Sequence, residues 1–197
     1  MIRSIACLLA LVLLAGCTKT YKVGLPYRPT TTTAPAPLKV SSGGVGVGTF
    51  QDRRGTDPRW VGAVRGRYGN LVKRLLSVET TPEVIRESLV NALDARGVRA
   101  STDKADVWIE GQILKLDCSY LFNKEAHAHI AIRVLSASRA VVFTQTYRTD
   151  NEESGRWAGR WADVNALAQF EQRTVNETID KMFADPKFVA ALSGAKR

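Results

Sequence analysis

The stretch Lys124–Leu135, KEAHAHIAIRVL, constrains the fold more than any other part of the chain. Ala126, Ala128, Ile130, Ile132 and Val134 fall on every second residue, with His127, His129 and Arg133 between them. Successive strand side chains point to opposite faces, so this period of two demands a strand with one face buried under another layer. Ser136–Arg139 reads as a tight turn, after which Ala140–Asp150 returns as a hairpin partner. Before it, Ala105–Cys118 reads as a further strand carrying Val107, Ile109, Ile113 and Leu116, with Gly111 at a bulge or bend. Upstream, Val45–Phe50 alternates in the same way, and Leu71–Val78 reads as a short edge strand.

Two helices supply the covering layer. Thr80-Thr81-Pro82-Glu83 has a capping hydroxyl, a proline in the first turn where no N–H is required, and an acid at the positive dipole end. Ile85, Leu89, Ala92 and Leu93 then form one apolar stripe, and Gly97 ends the helix. Asp163 is the N-cap of a longer helix to about Ala184, with Val164, Leu167, Val175, Ile179 and Met182 on its apolar side. Asp185-Pro186 breaks it and opens a short last helix. The expected fold is α+β: a mostly antiparallel sheet of about four strands with two main helices packed on one face.

The N-terminus sets the address. Arg3 precedes an apolar run from Ile5 to Leu14, too short to span a bilayer core of about 30 Å. It ends in Leu14-Ala15-Gly16-Cys17, which resembles a bacterial lipobox. That resemblance implies a signal peptide over residues 1–17, cleavage before Cys17, and covalent lipid (palmitate among it) on the Cys17 thiol. Thr18 stands where an aspartate would favour the inner membrane, so the expected location is the periplasmic face of the outer membrane. Residues 18–42, with four prolines and the run Thr30–Thr33, read as a flexible tether, and residues 43–197 as a single periplasmic domain.

A net charge of +9 would fit nucleic acid in the cytosol. An exported protein meets anionic envelope partners instead: lipid head groups, peptidoglycan or an acidic protein surface. Once Cys7 leaves and Cys17 is acylated, Cys118 is the single remaining thiol and reads as a small buried side chain.

Val-Gly-Val-Gly-Thr-Phe-x-Asp-x-Arg-Gly, Trp60–Gly62, Tyr68-Gly69-Asn70, Ala95-Arg96-Gly97 and Glu125–Ala128 resemble the YajG-type lipoproteins of the cell envelope, a family that implies no catalytic residues. The element order is similar to periplasmic lipoprotein domains of the LpoB and PelC type, which implies partner-binding activators or parts of oligomeric export assemblies.

No nucleophile triad, phosphate loop or zincin helix is present, so no enzyme is expected and no cofactor beyond the lipid. The glycines from Gly43 to Gly48 precede no helix and offer no phosphate site. His127 and His129, at i and i+2, could share a metal ion if a carboxylate joined them, but read first as solvent-face side chains. Residues 52–70 read as an ordered surface loop. Its Arg53, Arg54, Trp60, Arg65, Arg67 and Tyr68, with Trp157 and Trp161 of a second irregular segment, are the partner-binding candidates, since arginine and aromatic side chains concentrate in interfaces. The expected role is a non-catalytic envelope adaptor. The alternatives are a homo-oligomeric component of an envelope or export complex, and a metal-binding periplasmic protein.

Overall fold

The structure is a computed structural model that describes residues 18–29, 37–40, 44–101, 104–156 and 159–194. The order is β1 (Lys19–Val23), β2 (Val45–Asp52), β3 (Trp60–Arg65), β4 (Leu71–Ser77), α1 (Thr81–Asp94), β5 (Ala100–Ser101), β6 (Val107–Tyr120), β7 (Lys124–Ser136), β8 (Val141–Glu153), a 3₁₀ turn (Gly159–Trp161), α2 (Val164–Ala184) and α3 (Pro186–Leu192).

The expected antiparallel meander is there: β6 pairs with β7, and β7 with β8, along nearly their whole lengths. The expectation of about four strands, mostly antiparallel, is corrected. Among the described residues eight strands form one mixed sheet, in which β1–β4, β2–β5, β2–β6 and β3–β6 are parallel pairs. The cause lies in β6, which is fourteen residues long. Its free edge is shared: β2 takes the first half, from Val107 to Ile113, and β3 the second, from Cys118 to Tyr120. The sheet therefore forks.

The buried face of β7 carries the alternating residues Ala126 to Val134, all fully covered. Helix α2 lies over it, burying Leu167, Val175, Ile179 and Met182. Asp163 caps α2 by accepting from the Asn165 N–H at 2.8 Å. Helix α1 covers β2 with Val84, Ile85, Leu89 and Leu93, and Thr80 with Glu83 closes its N-terminus in a capping box. Gly97 takes a left-handed φ of 77° beyond its end, where a side chain would be strained.

Two further expectations fail. Residues 52–70 are not one loop, because β3 runs through their middle, and β4 lies between β3 and β1 rather than at an edge. Residues 18–42 are not a free tether where they are described. Lys19–Val23 pairs with Lys73–Ser77, and Val23, Leu25 and Tyr27 are buried. The Tyr27 hydroxyl donates to Asp180 Oδ1 at 2.7 Å. Further on, Leu38 N–H donates to the Arg96 carbonyl. Proline-rich composition hid a period of two, Tyr21-x-Val23-x-Leu25-x-Tyr27, that gives this strap an apolar side to bury.

Candidate functional site

Strand β3 divides the Arg/aromatic candidates into two groups. A six-residue strand is roughly 17–20 Å long, so Arg53, Arg54 and Trp60 at its start are far from Arg65, Arg67 and Tyr68 at its end. The first group is mostly architectural. Arg54 lies in the fork of the sheet with its side chain only 5% exposed, and its Nη1 donates to the carbonyls of Trp60 and Leu116. Its other nitrogens donate to both oxygens of Asp52 and to Thr81 Oγ1. Burial opposes the Asp52 charge, but the Arg54 hydrogen bonds outweigh it and hold the carboxyl below its usual range. Trp60 is half-buried with Arg74 over its ring. Arg54, spent on acceptors within the fold, is thus part of the frame, while Trp60 stays partly open beside it. Arg53 is exposed, and its Nη2 donates to Gln51 Oε1 at 2.7 Å.

The second group gathers at the other end of the sheet. The β3–β4 turn carries Arg65, whose Nη1 donates to the Gly69 carbonyl, then exposed Arg67 and Tyr68, the latter 93% exposed. Because β6 runs parallel to β3, Val64 sits beside Tyr120, and the following turn brings Phe122, 51% exposed, to the same end. Tyr120 Oη donates to the Arg156 carbonyl at 2.9 Å, which fixes the start of the second irregular segment there. The 3₁₀ turn follows against β3 and β4, tied by the Lys73 ammonium donating to the Ala162 carbonyl at 2.7 Å. Trp161 is 79% exposed with Arg160 stacked on its ring. Trp157 lies outside the described residues.

The chain enters the fold at this same end. Thr18 Oγ1 donates to the Leu71 carbonyl at 3.4 Å, and Lys19 pairs with Lys73. Both Lys19 and Lys73 lie over the Tyr21 ring. Cys17 is outside the described residues. Sequence reasoning missed Phe122 and Lys19, whose placement depends on the parallel β3–β6 and β1–β4 pairings.

The histidine pair meets the carboxylate that the sequence left unplaced. Asp150 on β8 lies opposite His127, and one of its oxygens accepts from His127 Nδ1 at 2.6 Å and His129 Nε2 at 2.8 Å. A carboxylate only accepts, so each ring donates an N–H. These bonds, that from His127 foremost, hold Asp150 below the usual carboxylate range. Among the described residues no group of three His, Cys, Asp or Glu side chains could hold a metal ion.

Beneath the sheet, Glu171 of α2 is fully buried and neither oxygen makes a hydrogen bond of ordinary geometry, although the backbone N–H of His127 favours its charged form. Burial, with the charge of Asp117 adding to it, pushes this carboxyl well above its normal range. Cys118 is buried, as expected, and donates to the Val61 carbonyl.

No family model matches the chain, and no curated protein matches it. Among solved structures it is similar to a protein from Xanthomonas campestris assigned to DUF330, with 16% identity, a TM-score of 0.62, and coverage of 89% of this chain and 96% of that one. That likeness shows the fold and leaves the YajG-type resemblance resting on its sequence motifs. A PelC dodecamer from Paraburkholderia phytofirmans (14% identity, TM-score 0.41, 84% and 95% covered) and a chain from Caulobacter crescentus named as a lipoprotein candidate (18%, 0.42, 57% and 82%) are too loosely similar to carry an argument.

Proposed function

We propose that this chain is an envelope lipoprotein, anchored through acyl chains on Cys17 and acting as a non-catalytic binding module. The observation that carries this reading is the point of entry into the fold. The residue after the lipobox cysteine begins the paired structure, at the end of the sheet where exposed arginines and aromatics gather. Two or more acyl chains attach a protein stably to a bilayer without a membrane-spanning segment, and among the described residues no helix is long and apolar enough to cross one. The Cys118 thiol is buried and held protonated, burial being the main cause, so it does not serve as a nucleophile. The two histidines spend an N–H each on one carboxylate.

The test is metabolic labelling with palmitate and mass measurement of the mature N-terminus. Label at Cys17 and a mature chain beginning there support the reading. An unlabelled protein, or one cut elsewhere, overturns it. The location follows from fractionating the two membranes, with the outer membrane expected.

A further inference from the structure

We propose that the end of the sheet formed by the β3–β4 turn, Phe122 and the 3₁₀ turn is a lipid-docking face, which lies against the head groups of an anionic bilayer. The proposal rests on the reading of Cys17 as the acylated residue and names what the exposed Arg/aromatic end recognises.

Three observations converge. The first is reach. Consecutive Cα atoms are 3.8 Å apart, so residue 17 lies within one step of Thr18, which is tied to Leu71 beside the turn. The strap beyond it is buried at Val23, Leu25 and Tyr27 and cannot pay out as slack. Acyl chains on Cys17 therefore enter the bilayer at this end, and the body sits on the surface rather than tens of ångströms away.

The second is the choice of exposed apolar side chains. Among the described residues the strongly exposed aromatics are Tyr68, Phe122 and Trp161, and all three stand here. The other exposed large apolar residues, Val78, Leu114, Val141 and Val142, are aliphatic and lie elsewhere. The Tyr68 and Trp161 rings, each with a polar tip or edge, suit the head-group level of membranes, and the wholly apolar Phe122 suits the acyl boundary beneath it.

The third is charge. Arg160 lies over the Trp161 ring, and Lys19, Arg65, Arg67 and Arg156 stand at the same end of the sheet. Guanidinium groups fork onto phosphate oxygens, and cationic residues close to an anionic leaflet are drawn to it. Most acids of this end belong to the β7–β8 side. Glu153 pairs with Lys124 and Arg173, Glu152 accepts from Asn123, and Glu125 faces solvent. Asp163 stands beside the 3₁₀ turn, where it accepts from the Asn165 N–H as the cap of α2, and the basic residues of the β1–β4–β3 side outnumber it.

The test uses the full chain, purified from membranes and reconstituted into vesicles of phosphatidylcholine, with or without phosphatidylglycerol. A nitroxide is placed at Tyr68→Cys, and at Ala137→Cys in the β7–β8 turn at the far end as a control; buried Cys118 does not compete for label. On phosphatidylglycerol vesicles the label at 68 should be relaxed by lipid-dissolved oxygen and shielded from a water-soluble nickel chelate, with the control showing the reverse. Changing Arg65→Glu and Arg67→Glu together should abolish the shielding. A label at 68 as water-exposed as the control, on protein whose Cys17 is acylated by mass, overturns the docking face and leaves the anchor standing. A shielded label on protein without acyl chains overturns the anchor and supports the face. Equal shielding on phosphatidylcholine alone overturns the anionic preference. Shielding that needs an added envelope protein assigns the face to a protein and overturns the proposal.

Discussion

Arg54 Nη1 donates to the carbonyl of Leu116 at 2.7 Å, at the place where β6 has released β2 and not yet engaged β3. A forked sheet leaves backbone carbonyls without a strand partner at the branch. A buried carbonyl with none costs about 1–3 kcal/mol. One guanidinium satisfies Leu116 and Trp60 together, and Asp52 and Thr81 hold it flat in the gap. The Asp52-x-Arg54-Gly55 motif is therefore the means by which one strand serves two neighbours.

Arg54→Ala should destabilise the fold by about 3–5 kcal/mol, the range for removing one partner of a buried ion pair. Arg54→Lys should recover only part of it, since an ammonium with three N–H donors cannot meet the acceptors that the guanidinium reaches. Urea unfolding followed by tryptophan fluorescence reads this as a lower midpoint at unchanged slope. A midpoint within error of the parent would mean that the fork is held by other contacts.

Gly62 marks a second close approach. A Cβ built there would run into the carbonyl and Sγ of Cys118 on the neighbouring strand. Gly62→Ala should cost about 1–3 kcal/mol by overpacking, whereas Gly69→Ala, in an open turn, should cost about 1 kcal/mol or less from its positive φ alone. Thermal melts of the two variants side by side show what crowding adds at Gly62, whose own φ of 158° is also positive.

Glu171 makes stability depend on pH in a direction opposite to that of most surface carboxylates. Its folded pKa is raised above the ordinary value of 4.5, so the folded state binds the extra proton. Stability is then full below about the unfolded pKa and falls as pH rises towards the folded value. Glu171→Gln should flatten that decline, and Glu171→Leu should flatten it and raise stability at neutral pH by removing an unpaired polar group. Chemical unfolding at a series of pH values checks both. A parent whose stability climbs steadily from pH 5 to 8 while the variants match it would contradict the assignment.

How much of this was legible beforehand depends on how local the signal is. The period of β7, the Thr80 and Asp163 caps and the Asp185-Pro186 break are written in neighbouring residues, and the elements appear where those residues place them. The parallel pairs are not local. Nothing in Val61–Val64 or Tyr21–Tyr27 says which distant strand will take them, and the surrounding arginine, glycine and proline masked their alternation. The candidate site shared that fate. Its residue types were visible, but the division of Arg54 from Arg67, and the placing of Tyr68 and Trp161 at one end of the sheet, arise only when the strands are laid side by side. Arg96 was likewise noted in the motif Ala95-Arg96-Gly97, but its task is set by tertiary structure. It stacks on Phe183 at 4.1 Å and donates to Asp180 and to the Ala92 carbonyl.

The strap rests on that same arginine. Tyr27 Oη donates to Asp180 Oδ1 at 2.7 Å and accepts from Arg96 Nη1 at 3.3 Å, and burial is the main reason its own pKa rises to about 12. Tyr27→Phe keeps the ring in its place and removes both bonds, with an expected cost of about 1–3 kcal/mol because both are to charged groups. The loss should be local. β1 is an edge strand held by β4 on one side, so its amides should exchange hydrogen faster in the variant while those of β6 and β7 stay protected. Hydrogen exchange read by mass spectrometry over residues 18–29 checks this. Uniform acceleration across the sheet would mean that the strap unfolds only with the whole body. No acceleration at all would mean that Val23 and Leu25 suffice to hold it.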